Sequence, residues 1–531
     1  MEDIVEHSQI GALATQHDRV DHSPIERVPA EILCDIFLSW IEEHSWNVEH
    51  PIIFPHSPFL LARVCSQWRK IIYGTPHLWA SPHVRIPSGM YITNQWMEKL
   101  VAYLARSKAC PLSVTLEASR HHTFASGLQK GLEKLIRALI PHVERIYSLH
   151  ISLTQSACKE LQYFAIGEDG WSNLESLTIT TWGPPLLGSI VLDRPLVFAK
   201  APKLRELTLV ADKRRGSRLL RTLTLALPWA QITKLTTSEV FRTSAAARDI
   251  ILKCPLLETC SLGHVIVWPE GQVAPDLPTR TFPHLRALSV IFDDNERFLD
   301  HEASFFQPLV MPALQRLDIR ATEPPESAET PTYISFIYSH CGSTLTHLSI
   351  DSILFYDEDA VVVLKLLPAL VSFRASLTYA ATRDDFFHAL TYDATSAATP
   401  LVPRLESLDI DEYPPSEGLE PVRTSLVVKA IASRWWSDAE LARTLHTATT
   451  SASMPAVARL KHVRLSWDFD ESPSESDAAT IGRCKDEGLD VWISGMPRKD
   501  LTQDISDYGS EDIDYEALAA RLSVGDGDGS I

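Results

Sequence analysis

Apolar residues in this chain follow two rhythms, one near the N-terminus and another that recurs through most of the remaining length. Between residues 24 and 74 the spacing is helical. In PIERVPAEILCDIFLSWIEEH, Ile32, Leu33, Ile36, Phe37, Trp40 and Ile41 fall at helical intervals and predict one apolar side of a helix. Pro29 suits its first position, where a missing N–H costs nothing, and Glu31 places an anion at the positive end of the helix dipole. A stretch rich in Pro and His over 50–58 ends the pattern. SPFLLARVCSQWRKIIYG then predicts a second helix, capped by Ser57 and opened by Pro58, with Leu61, Val64, Trp68 and Ile71 or Ile72 on one face. Past Gly74, Leu78 and Trp79 read as an apolar clasp.

From about residue 112 the pattern becomes apolar–x–x–apolar–x–apolar, and it repeats. Clear copies are RIYSLHI (Ile146, Leu149, Ile151), NLESLTI (Leu174, Leu177, Ile179), KLRELTL (Leu204, Leu207, Leu209) and HLRALSV (Leu285, Leu288, Val290). LQRLDI (Leu314, Leu317, Ile319), LTHLSI (Leu345, Leu348, Ile350) and LESLDI (Leu405, Leu408, Ile410) continue it, with degenerate copies at Ile232, Leu257, Leu370 and Leu460. Through Leu405 the copies start 25 to 35 residues apart. Segments between them, GLQKGLEKLIRALI, SAAARDIILKC, TYISFIYSHC and DAVVVLKLLP, have helical periodicity. One strand and one helix cannot bury their apolar sides alone, but a stack of such units can. The expected fold is therefore α/β: a short α-helical module followed by a leucine-rich-repeat-like βα solenoid with a parallel concave sheet. A closed barrel or doubly wound sheet is the competing architecture. It calls for fewer copies and a Gly-rich βα turn, which the sequence lacks.

Composition narrows the function. The 531 residues carry a net charge of -19, which argues against non-specific nucleic-acid binding, since phosphates need a basic face. Residues 501–531 hold eight Asp or Glu against the single Arg521, an acidic tail. The eight cysteines are scattered without any CxxC, as expected of buried reduced thiols rather than a disulfide framework or zinc site. A basic start and apolar core typical of a signal peptide are missing, and the longest apolar run, AVVVLKLLPALV, is broken by Lys365. These features predict a cytoplasmic or nuclear protein without membrane or nucleic-acid partners. No GxSxG, HExxH, P-loop or GxGxxG pattern occurs, His121-His122 has no accompanying ligand cluster, and the carboxylate runs at Asp293, Asp357 and Asp468 lack a calcium-loop pattern. No catalysis, cofactor or metal is expected.

Residues 25–80 resemble the F-box family. The residues that carry the likeness are Val28-Pro29-Ala30-Glu31-Ile32-Leu33, Ile36-Phe37, Val64-Cys65-Ser66-Gln67-Trp68-Arg69 and the late Leu78-Trp79. Val28 stands where the family usually has Leu, and the link from Ser45 to Ser57 is longer than typical. An F-box followed by irregular leucine-rich repeats is similar to the layout of large fungal F-box families. The resemblance names the second of four parts into which composition and periodicity divide the chain: a disordered 1–23, an F-box-like domain at 24–82, the repeat array at 83–497 and an acidic disordered tail at 498–531. It further implies that Val28, Pro29, Ile32, Leu33, Ile36, Val64, Cys65 and Trp68 meet a Skp-type adaptor. The chain would then be a non-catalytic substrate receptor of an SCF-type cullin–RING ubiquitin ligase, with a protein client on the repeats. A repeat scaffold without ligase assembly is the alternative.

In each predicted strand, the residues around the last apolar position should face outward. These are Thr178 and Thr180, Thr208 and Val210, Ser289 and Ile291, Asp318 and Arg320, Ser349 and Asp351, and Asp409 and Asp411. Small polar groups early and carboxylates late suggest that a basic or polar client segment meets Asp318, Arg320, Asp351, Asp409 and Asp411.

Overall fold

The computed structural model describes residues 24–44, 58–86, 93–118, 126–154, 170–182, 197–211, 227–238, 244–266, 279–293, 305–306, 308–321, 342–351, 357–377, 383–393, 399–412, 423–436, 457–466 and 474–493. The terminal segments 1–23 and 498–531, the link 45–57, His121-His122, TYISFIYSHC and Asp468 to Pro473 lie outside them.

The N-terminal unit is built from α1 (Ala30–His44), α2 (Pro58–Leu61), α3 (Ser66–Gly74) and a 3-10 turn at Pro76–Trp79. Helix α1 begins one residue after Pro29, whose carbonyl accepts the Leu33 N–H at 3.1 Å. The second helix is not continuous as expected. Cys65 adopts an extended backbone (φ -152°, ψ 173°), and its Sγ accepts the Trp68 N–H at 3.4 Å, so α3 is capped anew after a turn. That break separates Val64 from the buried Leu61. Leu33, Phe37, Ile41, Leu61, Ile72, Leu78 and Trp79 form the unit's core, which the Trp79 indole secures by donating to the Ile72 carbonyl at 2.9 Å.

Among the described residues, fourteen strands form one sheet. They are β1 (His83–Ile86), β2 (Leu112–Ala118), β3 (Ile146–Thr154), β4 (Ser176–Trp182), β5 (Glu206–Ala211), β6 (Lys234–Thr237) and β7 (Thr259–Ile266), then β9 (Ala287–Asp293) and β11 (Arg316–Ala321). The sheet ends with β12 (His347–Asp351), β13 (Ser372–Leu377), β14 (Ser407–Glu412), β15 (His462–Ser466) and β16 (Asp490–Ile493). Two short strands, β8 (Arg280–Thr281) and β10 (Leu309–Val310), pair separately. Within the large sheet, strands lie in chain order and each is parallel to its neighbour. Eleven of the fourteen start within about two residues of a repeat copy; β1, β2 and β16 extend the array at its ends.

Register explains the repeat. Leu149, Leu177, Leu207, Leu235, Cys260, Leu288, Leu317, Leu348, Phe373, Leu408, Val463 and Val491 stand opposite one another in a single inward row across β3 to β16. Two residues on, a second inward row runs Ile151, Ile179, Leu209, Thr237, Leu262, Val290, Ile319, Ile350, Ala375, Ile410, Leu465 and Ile493. All are buried. Except in β3, which begins at Ile146, the first apolar residue of each copy lies before its strand; Leu174, Leu204 and Leu285 are fully enclosed there. Between those positions the carbonyl of one repeat accepts two N–H groups of the next, as Glu175 does from Arg205 and Glu206, and Glu258 from Arg286 and Ala287. Gly263 sits at a shift of register between β7 and β9, where a Cβ would come within 2.6 Å of the Ser238 backbone.

Helices cover the inward face: α4 (Asn94–Arg106), α5 (Ser126–Leu139), α6 (Ser244–Leu252), α7 (Asp357–Lys365), α8 (Arg383–Leu390), α9 (Thr424–Ser433) and α10 (Glu475–Asp486). The last four pack in succession. After α9, Arg434 is wholly buried and donates to the carbonyls of Leu390 (2.7 Å), Leu401 and Val402 (3.1 Å). Burial lowers its pKa to about 10. Helix α4 belongs to both parts of the molecule. Trp96, Leu100 and Leu104 face the sheet core, while Tyr103 lies edge-on to Trp79 in the N-terminal core. The Arg106 guanidinium is 5.1 to 5.3 Å from the ring centres of Phe59, Tyr73 and Trp79. The boundary expected at residue 82 is thus bridged by one helix.

Truncating a row residue removes contacts on both neighbouring strands. Leu317→Ala is expected to cost about 2–5 kcal/mol, against less than about 0.5 kcal/mol for the outward Thr208→Ala. Urea denaturation of the two variants compares them, and equal midpoints would contradict the row as the source of stability.

Candidate binding surfaces

Helix α1 has two apolar sides. Leu33, Phe37 and Ile41, at four-residue steps, point into the core, whereas Ile32 and Ile36 remain 50% and 49% exposed. Leu60 of α2 and Val64 of the turn before α3 are also exposed, at 43% and 61%. Pro29 is also exposed, Val28 rests against the core, and Trp68 packs on Phe37 with ring centres 4.7 Å apart. The eight residues expected to face an adaptor therefore divide. Pro29, Ile32, Ile36 and Val64 lie outside; Val28 and Trp68 are partly covered; Leu33 is internal and Cys65 serves as a cap. Leu60 is not among the expected residues, and its four-residue spacing from Val64 is no guide to it, because α2 ends at Leu61.

The outer face of the sheet repeats the register in polar form. One row runs His83, Thr115, His150, Thr178, Thr208, Thr236, Ser261, Ser289, Asp318, Ser349, Arg374, Asp409, Arg464 and Trp492. The next row includes Arg85, Glu117, Ser152, Thr180 and Val210 at one end, and Ile291, Arg320 and Asp351 followed by Ser376, Asp411 and Ser466 at the other. Hydroxyls thus predominate on the middle strands, beside Val210 and Ile291, and charges at the two ends.

At the first end, Glu117 is held by His83 at 3.1 Å and by Arg85 at 3.1 Å. The hydrogen bond from His83 and the charge of Arg85 lower its pKa from 4.5 to about 2 despite partial burial. Burial lowers the pKa of His150, one strand further on. At the far end the carboxylates are not a bare acidic strip. Arg320 grips both oxygens of Asp318 at 3.0 and 3.1 Å, and Ser376 donates to Asp351 at 2.7 Å. Arg374 stands between Asp409 (3.7 Å) and Asp411 (3.5 Å). Arg464 lies over the Trp492 ring, 5.5 Å from its centre. The expected carboxylates and Arg320 stand on the late strands, interleaved with Arg374 and Arg464, which belong to degenerate copies of the repeat.

A groove of about 590 Å³ opens at the entrances of β3 to β5, lined by Tyr147, Glu175, Ser176, Lys203, Arg205 and Glu206, with Ser148 beside them. Lys203 bonds Asn173 at 2.6 Å, Arg205 donates to backbone carbonyls, and Glu206 is 3.8 Å from Lys234. Among the described residues no group of three or more His, Cys, Asp or Glu is placed to hold a metal, and no helix is long and apolar enough to cross a membrane. The six described cysteines are free thiols, and burial raises the pKa of Cys254 to about 12.

No protein-family model matches the chain, and no curated protein matches it either.

Glu117 yields a pH prediction. Its folded pKa lies below 4.5, so its contribution is present above about pH 4.5 and is lost as pH falls toward about 2. Wild type should exceed Glu117→Gln in urea midpoint at neutral pH, with the gap closing over that interval. A gap that stays constant down to the acid limit would show that the carboxylate's charge contributes nothing.

Proposed function

We propose that this chain is the substrate-receptor subunit of an SCF-type cullin–RING ubiquitin ligase. Its N-terminal helices act as an F-box that docks on a Skp-type adaptor, and its repeats form a leucine-rich-repeat-like solenoid whose open sheet holds a protein client. The observation that carries the reading is the second apolar side of α1, Ile32 and Ile36, left outside while Leu33, Phe37 and Ile41 complete the core. A helix hairpin this small needs only one buried side to fold, and surplus apolar surface favours a partner. The Val-Cys-Ser-Gln-Trp-Arg stretch at 64–69 and the buried Leu78-Trp79 add the family likeness.

The role requires no chemistry from the chain itself. A receptor raises the local concentration of a client lysine near a thioester carried by another subunit, and the gain comes from proximity and orientation. A parallel sheet presenting rows of polar side chains on a continuous apolar core suits that task, since its outer face varies without disturbing the packing.

Co-expression with a Skp-type adaptor tests the reading. Ile36→Asp and Val64→Asp each place a charge on the apolar side and should weaken capture by at least about tenfold while the far-ultraviolet circular dichroism is unchanged. Thr208→Ala should capture normally. If the folded wild-type chain captures no adaptor, the repeat-scaffold alternative replaces the ligase role.

A further inference from the structure

The N-terminal helices and the sheet meet without a spacer. Trp79 is enclosed in the N-terminal core, and the next carbonyl, that of Ala80, already accepts the Ser113 N–H of β2 at 3.0 Å. The Pro82 carbonyl accepts from Thr115 at 3.0 Å, and β1 starts at His83. Helix α4 closes the joint from the other side. Tyr103 sits in the N-terminal core, and the Arg106 guanidinium is held among the rings of Phe59, Tyr73 and Trp79. One residue on, Ser107 is fully buried, and Arg145, at the entrance of β3, donates to its Oγ at 2.5 Å and to the Cys110 carbonyl at 2.9 Å. Neighbouring residues at the end of α4 are thus fastened to the two parts of the molecule. The first strand shows what this achieves. β1 ends the fourteen-strand order with β2 as its neighbour, yet Val84 and Ile86 are buried. Trp96, Leu100 and Leu104 of α4 share their core, and Ala80 packs against it.

We infer that the N-terminal helices are the cap of the repeat array, forming with α4 and β1 to β3 one cooperative unit that opens and closes as a whole. A repeat array leaves its first core layer open to water unless a terminal unit covers it. A domain that folds by itself is joined through an exposed linker that few contacts cross. Here the connection from Trp79 to His83 is three residues long, and two of them bond β2. Arg106 makes separation costly from the other side, because a guanidinium that left its socket while α4 stayed on the sheet would lose three ring faces at once. The exposed side of α1 therefore moves with the outer face of the first strands, whatever partner either one takes. This role goes beyond adaptor docking and does not depend on it.

Amide hydrogen exchange of the full-length chain, read by mass spectrometry with no partner added, tests the cap. The slowest amides of α3 and β2 should exchange within about tenfold of one another, as expected of a shared opening. Arg106→Gln should speed both regions by at least about tenfold. Ile72→Val, a truncation confined to the N-terminal core, should speed β2 as well as α3 by roughly two- to tenfold. Val114→Ala in β2 should speed α3 by at least as much, whereas Leu408→Ala in the distant β14 should leave α3 within about twofold of wild type. An α3 that exchanges more than about a hundredfold faster than β2 would overturn the inference, since two units would then open separately. Truncations whose effects stay on their own side of the joint would overturn it too. Arg106→Lys, which keeps a cation in the socket, serves if Arg106→Gln unfolds; it should give a smaller change in the same two regions, and a change in α4 alone counts against the cap. Adaptor capture by the same preparations separates the outcomes: lost capture with coupled exchange rejects the ligase role, and retained capture with uncoupled exchange rejects the cap.

Discussion

The whole array depends on one constraint: each strand's two inward side chains are kept from water by the same two positions of the strands on either side, together with the helices that cover that face. Leu317 lies between Leu288 and Leu348, and Ile319 between Val290 and Ile350. Each buried aliphatic side chain contributes on the order of 1.5–3 kcal/mol, but only while its neighbours are present. Stability is therefore shared between adjacent repeats. The shared-carbonyl bonds at the strand entrances reinforce this, since one carbonyl ties two N–H groups of the following unit. Parallel pairing in chain order follows from the same need, because each helix or loop must return the chain to the same end of the sheet.

That arrangement leaves the outer face free to vary. Outward residues touch one another across strands, not the core, so hydroxyls in the middle and charges at the ends can coexist on one scaffold. The ends also differ in kind. His83, Arg85 and Glu117 form a closed cluster, and Arg374, Asp409 and Asp411 an open one. The same alternation that buries Leu408 and Ile410 sets Asp409 and Asp411 on the opposite face, two residues apart along one strand.

Much of this was legible in the sequence, for a physical reason. Apolar–x–x–apolar–x–apolar is the imprint of a turn residue and two inward strand residues, and its recurrence in eleven copies, rather than any one of them, sets it apart from chance. What escaped notice lay where that imprint is blurred. Phe373 and Ala375 occupy the rows held elsewhere by Leu and Ile, so Arg374 between them was not read as an outward neighbour of Asp409. Val64 appeared to share a face with Leu61 because no residue in LLARVCSQW forbids a continuous helix; the break depends on a cysteine acting as a cap, a role usually filled by Ser, Thr, Asp or Asn. Ile32 and Leu33 are adjacent in sequence and both apolar, and periodicity alone could not decide which of them would be enclosed. Helix α4 was hidden by its double allegiance, with Tyr103 turned to one core and Leu100 and Leu104 to the other.

The stack also sets a length. Fourteen strands make thirteen gaps, and at about 4.8 Å each the outer face follows a contour of roughly 60 Å from His83 to Trp492. An extended segment laid across every strand needs about 18 residues at roughly 3.3 Å each. A compact 100-residue partner, with a radius of gyration near 13 Å, spans only part of that contour. The histidine-bearing end and the arginine–carboxylate end are therefore separate addresses for any small folded partner, whereas a long extended segment, a larger folded partner or two partners together can occupy both.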